Sequence, residues 1–136
     1  MTLLSAIRKG CGLSQREAAQ FLGVSIDSMK SWESGRRQVP AGVLREFRHL
    51  AQQQQRAAEE ALAAWDESGR PDVIELGLAS DDYEAQSLGW PCVGAQLAAF
   101  RRLWELLPDG VQVSIVPRGS TIATAAAIEA RADNAR

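Results

Sequence analysis

Histidine is almost missing from this chain: among its 136 residues, His49 is the only one. A histidine-rich metal site is thereby excluded, and so is any mechanism that needs two histidines. Cysteine is nearly as scarce. Cys11 and Cys92 stand far apart with no metal-type or thiol-redox spacing around either, so they read as reduced, buried thiols. No apolar run reaches the ~18 residues that a bilayer-spanning helix needs. The opening "MTLLSAIRKGCGLSQ" has no basic stretch ahead of a long apolar core. It is not expected to be a secretion signal, and a cytoplasmic protein is the expectation. Glycine-rich phosphate loops and nucleophile elbows are missing as well. The adjacent carboxylates Glu59-Glu60 and Asp81-Asp82 would point apart on a helix or a cap. They read as solvated faces or caps. No catalytic residue, cofactor or metal is expected, and the chain is not expected to be an enzyme.

What is present fits a folded protein. The apolar share of 46% is ordinary for a globular chain. The length suits one domain, or one small domain with an appendage. Net charge is −2, but the charges are not evenly spread. Residues 1–50 carry Arg8, Lys9, Arg16, Lys30, Arg36, Arg37, Arg45 and Arg48 against Glu17, Asp27, Glu33 and Glu46, a balance of +4. The remaining residues carry seven basic and thirteen acidic side chains, or −6. A basic first part points to a polyanionic partner at that end.

Periodicity divides the chain further. Leu3, Leu4 and Ile7 have helical spacing, and Gly10 stops that helix. Ser14 followed by Glu17 forms a capping box, and the helix it opens ends at Gly23. Ser25 caps a third helix whose inward stripe is Met29 and Trp32, and Gly35 ends it. Pro40 stands where a further helix begins. A single long helix is predicted from Ala41 to Glu67, its seam formed by Leu44, Phe47, Ala51, Gln54, Ala58, Ala61 and Trp65. Ser68-Gly69-Arg70-Pro71 breaks it. Ile74, Leu76 and Leu78 alternate as a strand, and Ser80-Asp81-Asp82 caps a short helix. Cys92 to Leu107 reads as an amphipathic helix with Val93, Leu97, Phe100, Leu103, Trp104 and Leu107 inward. Val111, Val113 and Ile115 mark a second strand, and the alanine-rich Thr121 to Arg131 is read as helical.

Two short helices joined by a three-residue turn that starts with glycine make a helix-turn-helix. Ala18 and Ala19 are small enough for the second helix to cross closely, and Gly23 permits the tight turn. With Met29 and Trp32 turned inward, the third helix offers Ile26, Asp27, Lys30 and Ser31 to a major groove. The whole stretch "LSQREAAQFLGVSIDSMKSWESGRRQVP" resembles the Cro/C1-type, or xenobiotic-response-element, helix-turn-helix of bacterial and phage regulators. The later "GRPDVIEL" and "LGWPCVGAQLAAF" are similar to the anti-CRISPR-associated regulators of phages and mobile elements. Those pair such a module with a small α/β dimerisation domain.

The resemblance implies roles. Ser14 and Gln15 would bond to phosphate at a helix N-terminus, and Ser25 and Ser28 would be phosphate or rim contacts. Ile26, Asp27, Lys30 and Ser31 would face bases, and Arg36 and Arg37 would straddle the backbone. Glu33 is expected to accept hydrogen bonds from the N-terminal helices rather than to read DNA. The expected fold is α+β: a helix-turn-helix domain over 1–40, a connecting helix over 41–67 and an α/β dimerisation domain over 72–131. Trp65, Trp90, Phe100 and Trp104 are candidates for a homodimer interface, with an intramolecular core as their alternative. Expected partners are a palindromic double-stranded DNA operator and a second copy of the chain, with RNA as a further target and no membrane. The expected function is a repressor that autoregulates its own operon. An antitoxin or restriction-modification controller, or a translational regulator, are the competing readings.

Overall fold

A computed structural model describes residues 2–119. The helix expected over Thr121 to Arg131, and with it the end of the 72–131 segment, lies outside the described residues. The elements run α1 (Leu3–Gly10), α2 (Gln15–Leu22), α3 (Ile26–Glu33), α4 (Ala41–Glu67), β1 (Val73–Leu78), α5 (Asp82–Ser87), α6 (Val93–Leu106) and β2 (Gln112–Pro117). The fold is α+β, with the helical part first. Two compact units divide between Gln52 and Gln53, inside α4, whose bounds are those expected of the connecting helix.

In the first unit each short helix starts at a hydroxyl cap. The Thr2, Ser14 and Ser25 side chains accept from the backbone N–H groups of Ser5, Glu17 and Ser28. Each such bond satisfies a donor that the helix itself leaves unpaired. Gly23 ends α2 in the left-handed conformation, with φ of 69°, which glycine adopts without steric cost. Leu4, Cys11, Leu13, Ala18, Ala19, Met29, Trp32, Val43, Phe47 and Leu50 are buried. The Phe21 and Phe47 rings meet tilted, centroids 5.9 Å apart. Two expected stripes shift here. In α1 the inward positions are Leu4, Ser5 and Arg8, while Leu3 is exposed. In α4 the seam starts at Val43 and continues through Leu50, leaving Leu44 exposed and Ala51 half-buried. Val43, Phe47 and Leu50 keep the steps of four and three that hold one helix face inward.

In the second unit β1 and β2 form a two-stranded parallel sheet, with Ile74 opposite Val113 and Leu76 opposite Ile115. Gln96 of α6 ties the end of β1 down. Its Oε1 accepts from Ala79 N–H at 2.9 Å, and its Nε2 donates to Gly77 O at 3.2 Å. From the second half of α4, Gln53 Nε2 donates to Gly89 O and Gln54 Nε2 to Ala95 O, both at 3.0 Å. The glutamine run thus binds loop and helix ends rather than only lining a solvated face. The inward stripe of α6 agrees with the expected one at Phe100, Leu103 and Leu107 and departs from it at Leu97 and Trp104. Ala95, Gln96, Ala98, Ala99, Phe100 and Leu103 are buried, whereas Leu97 is 40% and Trp104 62% exposed. Ala95, Ala98 and Ala99 let this helix lie close to its neighbours, and the buried stripe runs through them together with Phe100 and Leu103. No helix among the described residues is long and apolar enough to cross a membrane.

Candidate nucleic-acid interface

The site begins with an ion pair beneath it. Arg8 donates to Glu33 through Nε at 2.7 Å and Nη2 at 3.0 Å, and through Nη1 to Leu13 O at 2.9 Å. Both side chains are almost wholly buried. This fork ties α1 to the end of α3 and to the loop that enters α2. Burial pushes the Glu33 carboxyl up, but hydrogen bonds from Arg8, Gln15 and Ser5, with the Arg8 charge, outweigh it and hold the group below the usual carboxylate range. Glu33 is therefore the acceptor the sequence led one to expect. Arg8 was not foreseen, although an arginine on the same face as Leu4 and Cys11 signals a need for a buried carboxylate.

At the start of α2 the capping box closes in both directions. Glu17 N–H donates to Ser14 Oγ at 3.1 Å, and Ser14 N–H donates to Glu17 Oε1 at 2.8 Å. Helix geometry turns the N–H groups of Gln15 and Arg16 outward at this end. The Gln15 side chain is committed differently from the expectation of a simple phosphate contact: its Nε2 donates to Glu33 Oε1 at 3.3 Å. A primary amide has two N–H donors, so the bond to Glu33 uses one and leaves capacity for a second acceptor. Arg16, next in sequence, is exposed and adds a positive charge at this end.

The presented helix is α3. Met29 and Trp32 are buried, as expected, and hold it from behind. Asp27 and Lys30 are exposed, and Ile26, Ser28 and Ser31 are half-buried. One helix surface thus combines an apolar group, a carboxylate, an ammonium and hydroxyls. Ser25 Oγ accepts from Ser28 N–H and bonds to Ser28 Oγ, both at 3.1 Å. These two serines serve each other as a cap, whatever else they touch. Beyond α3 the chain folds back on Ser31 O, which accepts from Arg36 N–H at 3.0 Å and Arg37 N–H at 3.2 Å. Arg36 is exposed, while the Arg37 guanidinium lies 5.8 Å from the Trp32 ring centroid. Stacking of that kind restrains an otherwise mobile side chain. Beside it an apolar hollow of about 350 Å³ is lined by Leu3, Trp32, Val39 and Leu44, which nothing in the sequence pattern had indicated.

The four dimerisation candidates part company. Trp65, Trp90 and Phe100 are buried within the second unit, and Trp65 Nε1 donates to Pro71 O at 2.9 Å. Their intramolecular role corrects the interface reading, because side chains already enclosed by their own chain have no surface left to share. Trp104 alone remains exposed. Among the described residues no cluster of histidine, cysteine or carboxylates could hold a metal.

A helix pair with capped starts, a glycine turn and a polar outer face defines a helix-turn-helix, and residues 2–62 match the family model of a helix-turn-helix domain. The match takes in the three short helices and most of α4. No curated protein matches the chain.

Proposed function

We propose that the chain is a sequence-specific DNA-binding repressor that acts as a cytoplasmic homodimer on a palindromic operator. It has no enzymatic step. The observation that carries this reading is the outer face of α3, where Ile26, Asp27, Lys30 and Ser31 stand over the buried Met29 and Trp32. Groove chemistry matches these groups. An aliphatic group meets a thymine methyl, a carboxylate accepts from cytosine N4, and an ammonium donates to guanine O6 or N7. The first unit carries the chain's excess of positive charge, which supplies the sequence-independent attraction to phosphate. One module reads only a few base pairs, so a useful operator needs two half-sites and hence two copies. Autoregulation of its own operon, of the anti-CRISPR type, is the biological setting that the resemblance supports.

The test is fluorescence anisotropy of the full chain on the DNA immediately upstream of its gene. One palindromic segment should bind at least a hundredfold more tightly than a scrambled duplex at physiological salt. Equal affinity for both would overturn the reading. Preference for the transcript's leader over the duplex would replace it with translational control.

A further inference from the structure

The sheet of the second unit lies outside the residues that match the helix-turn-helix. Among the described residues, β1 and β2 pair only with each other. A parallel ladder uses both backbone groups of alternate residues on each strand. Gln112 N–H donates to Asp72 O at 2.8 Å and Arg118 N–H to Leu78 O at 3.0 Å. The even-numbered residues of β2, Gln112, Ser114 and Val116, therefore turn their backbone groups toward β1. The odd-numbered ones, Val113, Ile115 and Pro117, turn theirs to the opposite edge. That edge offers the N–H and C=O of Val113 and Ile115 in a row, and Pro117, lacking an N–H, ends it.

The two outer edges of the sheet are unlike each other. On β1 the outward set is Val73, Glu75 and Gly77, with Asp72 just before it, and charged side chains are how natural sheets blunt an edge. On β2 the strand "QVSIVP" has no charged residue. Two strands alone are marginal in water, and parallel strands are ordinarily covered. Apolar side chains flank this edge, with which no described residue pairs. Val113 is half-buried and Ile115 is 46% exposed. At the start of the strand, Trp104, Leu107 and Val111 line a hollow of about 340 Å³ together with Glu105 and Asp109.

We propose that the outer edge of β2 pairs antiparallel with β2 of a second copy, giving a continuous four-stranded sheet across a two-fold axis. This deepens the homodimer of the proposed function and can be read without DNA. The occupant is a second copy because a neutral strand opposes itself without like-charge repulsion, and an isologous contact demands that self-complementarity. β1 would set Glu75 close to its own symmetry mate. Register follows from the donors. Val111 N–H is engaged by Pro108 O at 3.5 Å, and Pro117 has none. Only a register centred on Ser114 lets Val113 and Ile115 each exchange both bonds, Val113 with Ile115 of the second copy and the reverse. The two Ser114 residues then face each other as a non-hydrogen-bonded pair, Cα atoms about 4.5 Å apart. The same register brings Pro117 of the second copy opposite Val111, beside the Trp104 hollow.

A cysteine pair at that separation has disulfide geometry. The experiment is mild oxidation of full-length Ser114→Cys, read on a non-reducing gel with peptide mapping. The two natural thiols are buried. Near-complete 114–114 linkage is expected, with at least tenfold slower linkage for Val113→Cys, which would face Ile115 instead. Ile115→Pro removes an outward N–H while leaving the β1 ladder intact, so light scattering at micromolar concentration should give half the natural chain's mass with unchanged circular dichroism. If Ile115→Pro does not fold, the linkage result decides. A natural chain that is monomeric at that concentration overturns both the edge pairing and the homodimer. A dimer whose Ser114→Cys form does not link overturns the edge pairing alone and leaves the DNA-binding homodimer standing.

Discussion

At the scale of single residues, the Arg8–Glu33 pair is the member of the site whose loss would be felt most in stability. Both groups are buried, so removing one leaves the other uncompensated, at a cost of about 3–5 kcal/mol. The carboxyl of Glu33 is held low in the folded chain. Its contribution is therefore complete above the unfolded group's titration and is lost as pH falls through the folded one. Thermal unfolding of Glu33→Gln should lie well below the natural chain at pH 7, and the gap should close as the pH falls below the usual carboxylate range and through the folded group's titration. A gap independent of pH would mean that the pair does not act through its charge. On the presented face, Lys30→Ala should cost about 1–3 kcal/mol on one base pair and relax preference there, whereas Arg36→Ala should weaken all sequences alike and lower the salt slope by about one. Titrations on operator variants at several salt concentrations separate the two. Most of this face was legible, since Met29 and Trp32 fix by helical spacing which side of α3 turns out. The Gln15–Glu33 bond was not, because it joins residues 18 apart in sequence and no local pattern encodes it.

At the scale of elements, the short helices depend on their ends. An eight-residue helix is too short to persist on propensity alone. Ser14→Ala opens the capping box of α2 and should cost about 1 kcal/mol. Gly23→Ala meets no atom within 4 Å, so its cost is purely that of the left-handed backbone at φ of 69°, about 1 kcal/mol. Denaturant melts of both variants should show equal m-values and lowered midpoints. Caps, turns and strand positions were legible because Ser, Gly and Pro act within three or four residues. The facing of α6 was not. Its apolar residues satisfy two stripes, one through Leu97 and Trp104 and one through Ala95, Ala99 and Phe100. Only packing against the sheet and α4 chooses between them, and it favours the second.

At the scale of the whole molecule, positive charge belongs to the first unit and negative charge to the second. Phosphate is thus attracted to the first unit and repelled by the second, a sequence-independent bias toward docking through the first unit. Binding should steepen with protein concentration when dilution separates the two copies, and a titration curve that stays hyperbolic at every dilution would count against paired action. The division inside α4 could not be read from its uninterrupted heptad pattern, because the seam keeps its spacing across Gln52 and the partner of Gln54, Ala95, lies 41 residues away in sequence. Trp104, the one open tryptophan against the enclosed Trp32, Trp65 and Trp90, gives the chain a built-in spectroscopic probe. Its indole alone should be reached by iodide and should emit at the red end of the band. Any event that covers it, association above all, should shift the emission to the blue and remove the quenchable fraction without a label.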